Sequence, residues 1–374
     1  MGRVRRNGNL AVVRPSVKDV ARLVGMSETT VFRALRDDPK VKPQTIARVK
    51  KAAEQIRYRP SLVARTMCTR RSYTIGVMLP RLEGFFSQTL VGISDCANQN
   101  GYQVIIYSLE NSPLEKEREF THQLIERMVD GVIIAPKLFP KGQRSHLEEL
   151  QERSIPFVII DRELEDFEAN FITCDDRKGA MAAVEHLIGL GHRRIAHIAG
   201  PQQYSTSRNR LQGYRDALER HQIPFDPRYL HVVNGFDQDL MASEGYAITK
   251  RLMQLDLPPT GIFCIADMAV PGVYRALEEH QIKVPDQVSV MGYTDFDYAK
   301  LLHIPLTTVR QPSYQLGYTA MKVLLEVIAD PGKKHMQTIY LRTELVVRES
   351  TGPCRDTGAS AQTRQEALAR SRYE

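Results

Sequence analysis

Apolar residues fall at helical spacing in three short stretches near the start of the chain: Val17, Val20, Ala21 and Val24; then Val31, Ala34 and Leu35; then Ile46, Val49, Ala52, Ala53 and Ile56. Each stretch carries start or stop signals. Ser16 with Asp19 three residues on suits a capping box, Gly25 a turn with positive φ, Ser27 an N-cap, and Pro43 the first turn of a helix. This predicts two short helices joined by a tight turn, with a third packed across them. From Tyr73 the period changes. Short apolar runs (Ile75–Leu79, Tyr102–Tyr107, Gly131–Ala135, Phe157–Ile160, Asn170–Thr173, Arg194–Gly200) alternate with helical stretches near 86–100, 114–128, 144–153 and 178–190. The rhythm then restarts, with helices near 207–221, 240–254, 268–280 and 314–328. Strands fall near 230–233, 261–265 and 288–292, a crossing strand at 306–309, and a closing pair near 337–341 and 345–347. Such βαβα alternation predicts parallel sheets covered by helices on both faces. The length suits two α/β lobes of roughly 120 to 150 residues with a cleft at the carboxyl ends of their strands.

The expected organisation is a basic flexible extension over 1–15, a helical domain over 16–59, and a linker over 60–71. A two-lobed core follows over 72–349, and a polar, disordered tail over 350–374. Within the linker, Pro60 and Ser61 can start a helix of about two turns, too short to be stable alone. It would order only when DNA or its own copy in a second subunit holds it.

Charge sharpens the division. Residues 1–71 hold 18 Lys and Arg against 5 Asp and Glu, a net +13, while the rest of the chain is net −6. A basic patch confined to a small helical domain is the footprint of nucleic-acid binding. The five cysteines (68, 96, 174, 264, 354) have neither metal-ligand nor redox-motif spacing. Leu10–Val13 is too short for a signal segment, and no run approaches a membrane span, so a cytoplasmic protein is expected. The sequence has no P-loop, GxGxxG fingerprint or nucleophile elbow, which leaves an enzyme as a remote alternative.

The second short helix turns Glu28, Thr29, Thr30 and Arg33 outward near its start, as a helix-turn-helix does toward a major groove. Here the residues point to a family. Val17-x-Asp19-Val-Ala21, Gly25-x-Ser27-x-x-Thr30-Val31-x-Arg33 and Tyr58-x-Pro60-Ser61-x-Val63-Ala64-Arg65 resemble the LacI/GalR family of bacterial transcriptional repressors. Gly191-His-Arg-Arg-Ile-Ala196, Arg210-Leu-x-Gly213, Gly292-Tyr293 and Leu306-Thr-Thr-Val-Arg-Gln-Pro312 resemble that family's periplasmic-binding-protein-like core. The similarity spans about residues 16–349.

The resemblance implies a homodimer on a roughly palindromic double-stranded operator. Glu28 and Thr29 would read bases and Arg33 a guanine. Ser16, Ser27, Thr30 and Lys42 would meet phosphates, and Val17 is counted among the DNA-facing positions. Ser61, Ala64 and Met67 of the linker would also meet DNA, Ala64 by close approach in the minor groove and Met67 as the wedge at a central base step. Phe32 stands where the family usually has a serine. The resemblance also implies a small effector between the lobes, touching Phe85, Phe86, Asp161, Thr206, Arg210, Phe263, Ala266, Thr294 and Gln311. Thr294 stands where relatives commonly have aspartate, although Asp295 is adjacent, and Ala266 where many have asparagine. Asp267 is expected to hold its turn rather than touch ligand. With no cofactor and no metal, the expected effector is a sugar, sugar acid or sugar phosphate. An activator or dual regulator, and control by a protein corepressor, are the alternatives.

Overall fold

The structure, a computed structural model, describes residues 15–35, 37–58, 71–109, 113–136, 144–330, 332 and 336–355. The expected extension up to residue 14, the linker positions Ser61, Ala64 and Met67, and residues 356–374 lie outside them. The chain divides after Tyr73 into two compact units.

In the first unit, helix α1 spans Val17–Val24, α2 Glu28–Ala34 and α3 Pro43–Gln55. The Ser16 amide and hydroxyl both donate to the Asp19 carboxylate, at 2.9 and 2.8 Å. These bonds hold the Asp19 carboxyl below its ordinary range. Gly25 closes α1 at φ 65°, a left-handed conformation that glycine adopts without steric cost. Ser27 Oγ accepts from the Thr30 amide and opens α2. Val20, Val31, Ala34 and Val49 are fully buried where the three helices meet. Arg48, exposed on α3, donates to the Val24 carbonyl at 3.0 Å and ties α3 to the end of α1.

The second unit contains two six-stranded sheets. The first lobe takes β1 (Thr74–Leu79), β2 (Gln103–Ser108), β3 (Gly131–Ile134), β4 (Phe157–Ile160) and β5 (Asn170–Cys174), with β11 (Thr338–Leu341) added at the edge. The order is β11-β5-β4-β3-β1-β2, all parallel. Its helices are α4 (Phe85–Gln99), α5 (Leu114–Glu126), α6 (Ser145–Glu152) and the late α11 (Ser313–Ala329). The second lobe takes β6 (Ile195–Ala199), β7 (Leu230–Val232), β8 (Gly261–Cys264), β9 (Ser289–Thr294), β10 (Thr307–Arg310) and β12 (Glu344–Val346). Its order is β12-β10-β9-β8-β6-β7, with only β12 antiparallel. Helices α7 (Asp176–Gly189), α8 (Ser205–Arg220), α9 (Gln238–Met253) and α10 (Val270–Glu279) cover it. Strands β3, β4, β5, β6 and β8 are buried along their whole length, as continuous apolar runs in a doubly covered sheet must be.

Two expectations are corrected. The closing strands do not pair with each other: β11 lies beside β5 in the first lobe and β12 beside β10 in the second. Each repairs the open edge of a different sheet, so the short link between them crosses from lobe to lobe, as do the links β5–α7 and β10–α11. The tail is also anchored at its start. Ser350 is fully buried, its hydroxyl donates to the Val290 carbonyl (2.6 Å) and it accepts from the Thr307 amide (2.7 Å). The Gly352 amide donates to Ser289 Oγ, and the Cys354 amide to the Leu190 carbonyl. Polar composition marked 350–355 as free, whereas these groups satisfy backbone atoms at the end of the sheet.

Candidate DNA-reading surface and ligand cleft

On the first unit, Glu28, Thr29, Arg33 and Lys42 are exposed. Arg33 Nε lies 4.0 Å from the Asp38 carboxylate, whose backbone amide bonds the Arg33 carbonyl. Ser27 and Thr30 hydroxyls bond each other at 2.9 Å, so the pair keeps one hydroxyl proton for a phosphate oxygen. Ser16 has donated its hydroxyl proton to Asp19, and a phosphate, which only accepts, would have to displace that bond. Val17 is half-buried and packs against the helical core.

In the second unit the loops leaving the carboxyl ends of both sheets enclose a cavity of about 790 Å³ between the lobes. Eight of the nine expected effector positions line it: Phe85, Phe86, Asp161, Thr206, Arg210, Ala266, Thr294 and Gln311. Phe263 does not. It is fully buried in the core, stacked on the His197 ring at 4.7 Å and beside Tyr293. Phe263 belongs to β8 itself, within a sheet covered on both faces. Ala266, beyond the strand end, reaches the cavity.

Arg210 projects from α8 and is only 5 % exposed. Its Nε donates to Asp176 at 3.0 Å, its Nη1 to the Ile265 carbonyl at 2.8 Å, and its plane lies 3.9 Å over the Tyr293 ring. Burial pushes the Asp176 carboxyl up to about 6 although Arg210 opposes the shift. Burial likewise raises Asp161, against the pull of Arg162 and Arg210. Asp161 sits at φ 68°, with Arg162 Nε 3.3 Å from its carboxylate. Arg162 also lies 4.4 Å over Tyr204 of the other lobe. Nearby, the Glu163 amide donates to Ser205 Oγ and Arg208 pairs with Glu165 at 2.6 Å, so this rim of the cleft is clasped across the lobes.

At the far side Thr294 has φ 119° and Asp295 φ 62°. Positive φ at a β-branched residue is strained, and such strain concentrates at functional sites. Asp295 is nearly buried, within 2.7 Å of both Arg310 and Arg348. Asp267 accepts from the Phe296 amide (2.9 Å) and the Thr308 hydroxyl (2.7 Å), and burial pushes its carboxyl up to about 7. It fixes the loops behind the cavity and does not line it. Arg81, Arg162, Tyr204, Phe236, Phe296 and Tyr298 line the cavity and were not among the expected residues. All lie within a few residues of a strand's carboxyl end, a position that could have identified them. Among the described residues no His, Cys, Asp and Glu cluster could hold a metal, and no helix is long and apolar enough to cross a membrane.

Comparison with known proteins places these features in a family context. Residues 16–61 match the family described as bacterial regulatory proteins, lacI family, and residues 184–351 a periplasmic binding protein-like domain. The HTH-type transcriptional repressor PurR of Actinobacillus pleuropneumoniae serotype 3 (strain JL03) is 31% identical over 337 residues, covering 90% of this chain and 98% of the relative. The probable HTH-type transcriptional repressor ExuR of Bacillus subtilis (strain 168) is 29% identical over 340 residues, with coverage of 90% and 98%. The lac repressor dimer bound to operator and the anti-inducer ONPF superposes with a TM-score of 0.80 at 28% identity, covering 91% of this chain and 100% of that one. A LacI family regulator from Enterococcus faecium with bound ribose gives 0.65 at 31% identity, covering 75% and 100%.

Proposed function

The chain belongs to the lacI family of bacterial regulatory proteins, a sequence-specific DNA-binding repressor governed by a small-molecule effector, and on that premise we propose which of its residues do each job. The 16–59 domain of one subunit enters a major groove, and a homodimer places two such domains on a roughly palindromic operator. Glu28 and Thr29 read base edges, and Arg33 reads guanine O6 and N7. The Ser27–Thr30 pair and Lys42 hold phosphates. This assignment draws support from the exposure of these side chains on the most basic part of the chain. Ser61, Ala64 and Met67 are assigned to the linker's DNA contact on the resemblance alone. A lac repressor dimer on operator supports the dimeric form.

The effector is a sugar-class molecule held between the lobes. The observation that carries this is the cavity of about 790 Å³, which eight of the nine positions expected from the family resemblance line. Arg210 grips ligand oxygens while Asp176 holds it in place. The E. faecium relative with ribose supports the ligand class. Calorimetry with sugars, sugar acids and sugar phosphates, repeated on Arg210→Lys, tests the site. Lysine keeps the charge beside Asp176 but loses the planar fork, so affinity should fall about tenfold. An unchanged dissociation constant would remove Arg210 from the site. If no small molecule binds, a protein corepressor takes the effector's place.

A further inference from the structure

Phe32 is the only aromatic residue of α2, and its side chain is half-buried. Val31 and Ala34 form the buried side of the helix. At about 100° per residue, Glu28 lies about 60° round the helix from Val31, Phe32 about 100° and Thr29 about 160°. Phe32 therefore falls between the two residues assigned to base reading, one turn further along. Residues three and four apart on a helix are surface neighbours, so the three side chains share one face. Other half-buried apolar side chains of this unit, such as Leu35, Ile46 and Tyr58, pack on its core, and among the described residues Phe32 stands outside that cluster. The accessible part of its ring belongs to the face with which α2 docks.

The chemistry of the ring narrows what it can meet there. A serine at this place could donate a hydroxyl proton to a phosphate oxygen, whereas a phenyl ring has neither donor nor acceptor. Set against a phosphate, the ring would strip water from a charged group and return no hydrogen bond. Set against base edges, it would face nitrogen and oxygen atoms with the same need, with one exception. The C5-methyl group of thymine is the apolar feature of the major groove. The net charge of +13 over residues 1–71 draws this unit onto the duplex, and Glu28 and Thr29 on either side of the ring point the same face at the bases.

We propose that Phe32 is a specificity residue: its ring packs on the C5-methyl group of one thymine in each operator half-site and selects T·A at that position. The assignment rests on the reading of α2 as the helix that enters the major groove. It adds an apolar contact to the hydrogen-bonding readers Glu28, Thr29 and Arg33.

Binding-site selection from a randomised duplex pool with the full-length protein, followed by fluorescence anisotropy on the recovered operator, tests it. Wild type should require one thymine in each half-site that Phe32→Ala and Phe32→Ser no longer require, with the other preferences kept. Replacing that thymine by deoxyuridine removes only the methyl group. Wild type should then lose about fourfold in affinity per half-site, the worth of one buried methyl group. Phe32→Ala should bind the thymine and uracil duplexes equally, and Phe32→Leu, which keeps an apolar side chain, should retain part of the difference. Each comparison is a ratio between two duplexes for the same protein, so a change in the folded fraction cancels. Wild type indifferent to uracil at every thymine of the operator, or Phe32→Ala with the wild-type ratio, would overturn the role of Phe32. If Arg33→Ala still shifts the selected sequence in that case, α2 remains the reading helix and only the Phe32 assignment fails. If neither Arg33→Ala nor Phe32→Ala shifts it, the placement of α2 in the groove fails as well.

Discussion

Arg33 stands exposed near the end of α2, with Asp38 4.0 Å from its Nε. A bidentate contact from such a group to guanine contributes about 1–3 kcal/mol of discrimination at one base pair. Binding-site selection on Arg33→Ala should therefore lose its preference at one position of each half-site and keep the others. A second single-residue test concerns proton linkage. Asp267 keeps its proton up to about pH 7 in the folded protein but ionises near 3.8 when unfolded. Its contribution to stability is thus fully present below 3.8 and falls away as pH rises toward 7. Asp176 acts in the same sense up to about 6. His197, whose buried ring is held down to about 4, acts in the opposite sense over an overlapping window. The difference between wild type and Asp267→Asn isolates the one group. Urea unfolding at several pH values should show the variant gaining on wild type between pH 4 and 7, by no more than roughly 1.4 kcal/mol per pH unit. A constant difference would mean that Asp267 is ionised in the fold. Arg210→Ala should cost about 3–5 kcal/mol in the same assay, because it strands a buried Asp176.

Elements were legible in the sequence where their patterns are strong. The continuous apolar runs of β1, β3, β4, β6 and β8 gave strand positions within a residue or two, because a strand buried on both faces has no polar position to confuse it. Capping residues did the same for α1 and α2. The eight cleft residues that converge were found through strand ends and family motifs together. Phe263 misled because a motif residue inside a strand looks the same in sequence as one beyond its end. Tyr204 and Phe236 were missed because their ring contact forms only when the loops after β6 and β7 meet, and Phe296 and Tyr298 because local sequence does not tell a loop ring that lines a cavity from one that does not. Residues 350–355 were misread because backbone hydrogen bonds leave no trace in composition. A chain ending at Glu349 should accordingly unfold at lower temperature by several degrees, since Ser350 alone satisfies two buried backbone groups. Helix packing offers another test. Helices α4 and α11 approach so closely that a Cβ on Gly317 would lie 1.9 Å from the Thr89 carbonyl oxygen. Gly317→Ala should destabilise the second unit by about 1–3 kcal/mol in chemical denaturation.

For the whole molecule, the contrast between a basic first unit and an acidic remainder localises DNA attraction to one end of the chain. Operator affinity should fall steeply as salt rises, because Lys and Arg side chains displace condensed counterions from the phosphates. The three links that cross between the lobes allow the cleft to change their relative orientation. A ligand shifts operator binding only by its differential affinity for the lobe arrangements. The most direct test of the account is the operator dissociation constant of the full-length protein, measured by fluorescence anisotropy on DNA recovered by selection, with and without a cleft-bound ligand at saturation. The account predicts a shift of about 5- to 150-fold in either direction. In Arg210→Lys the same shift should require a higher ligand concentration, with the ligand-free operator constant unchanged. An operator constant that stays the same while calorimetry shows the cleft occupied would contradict it.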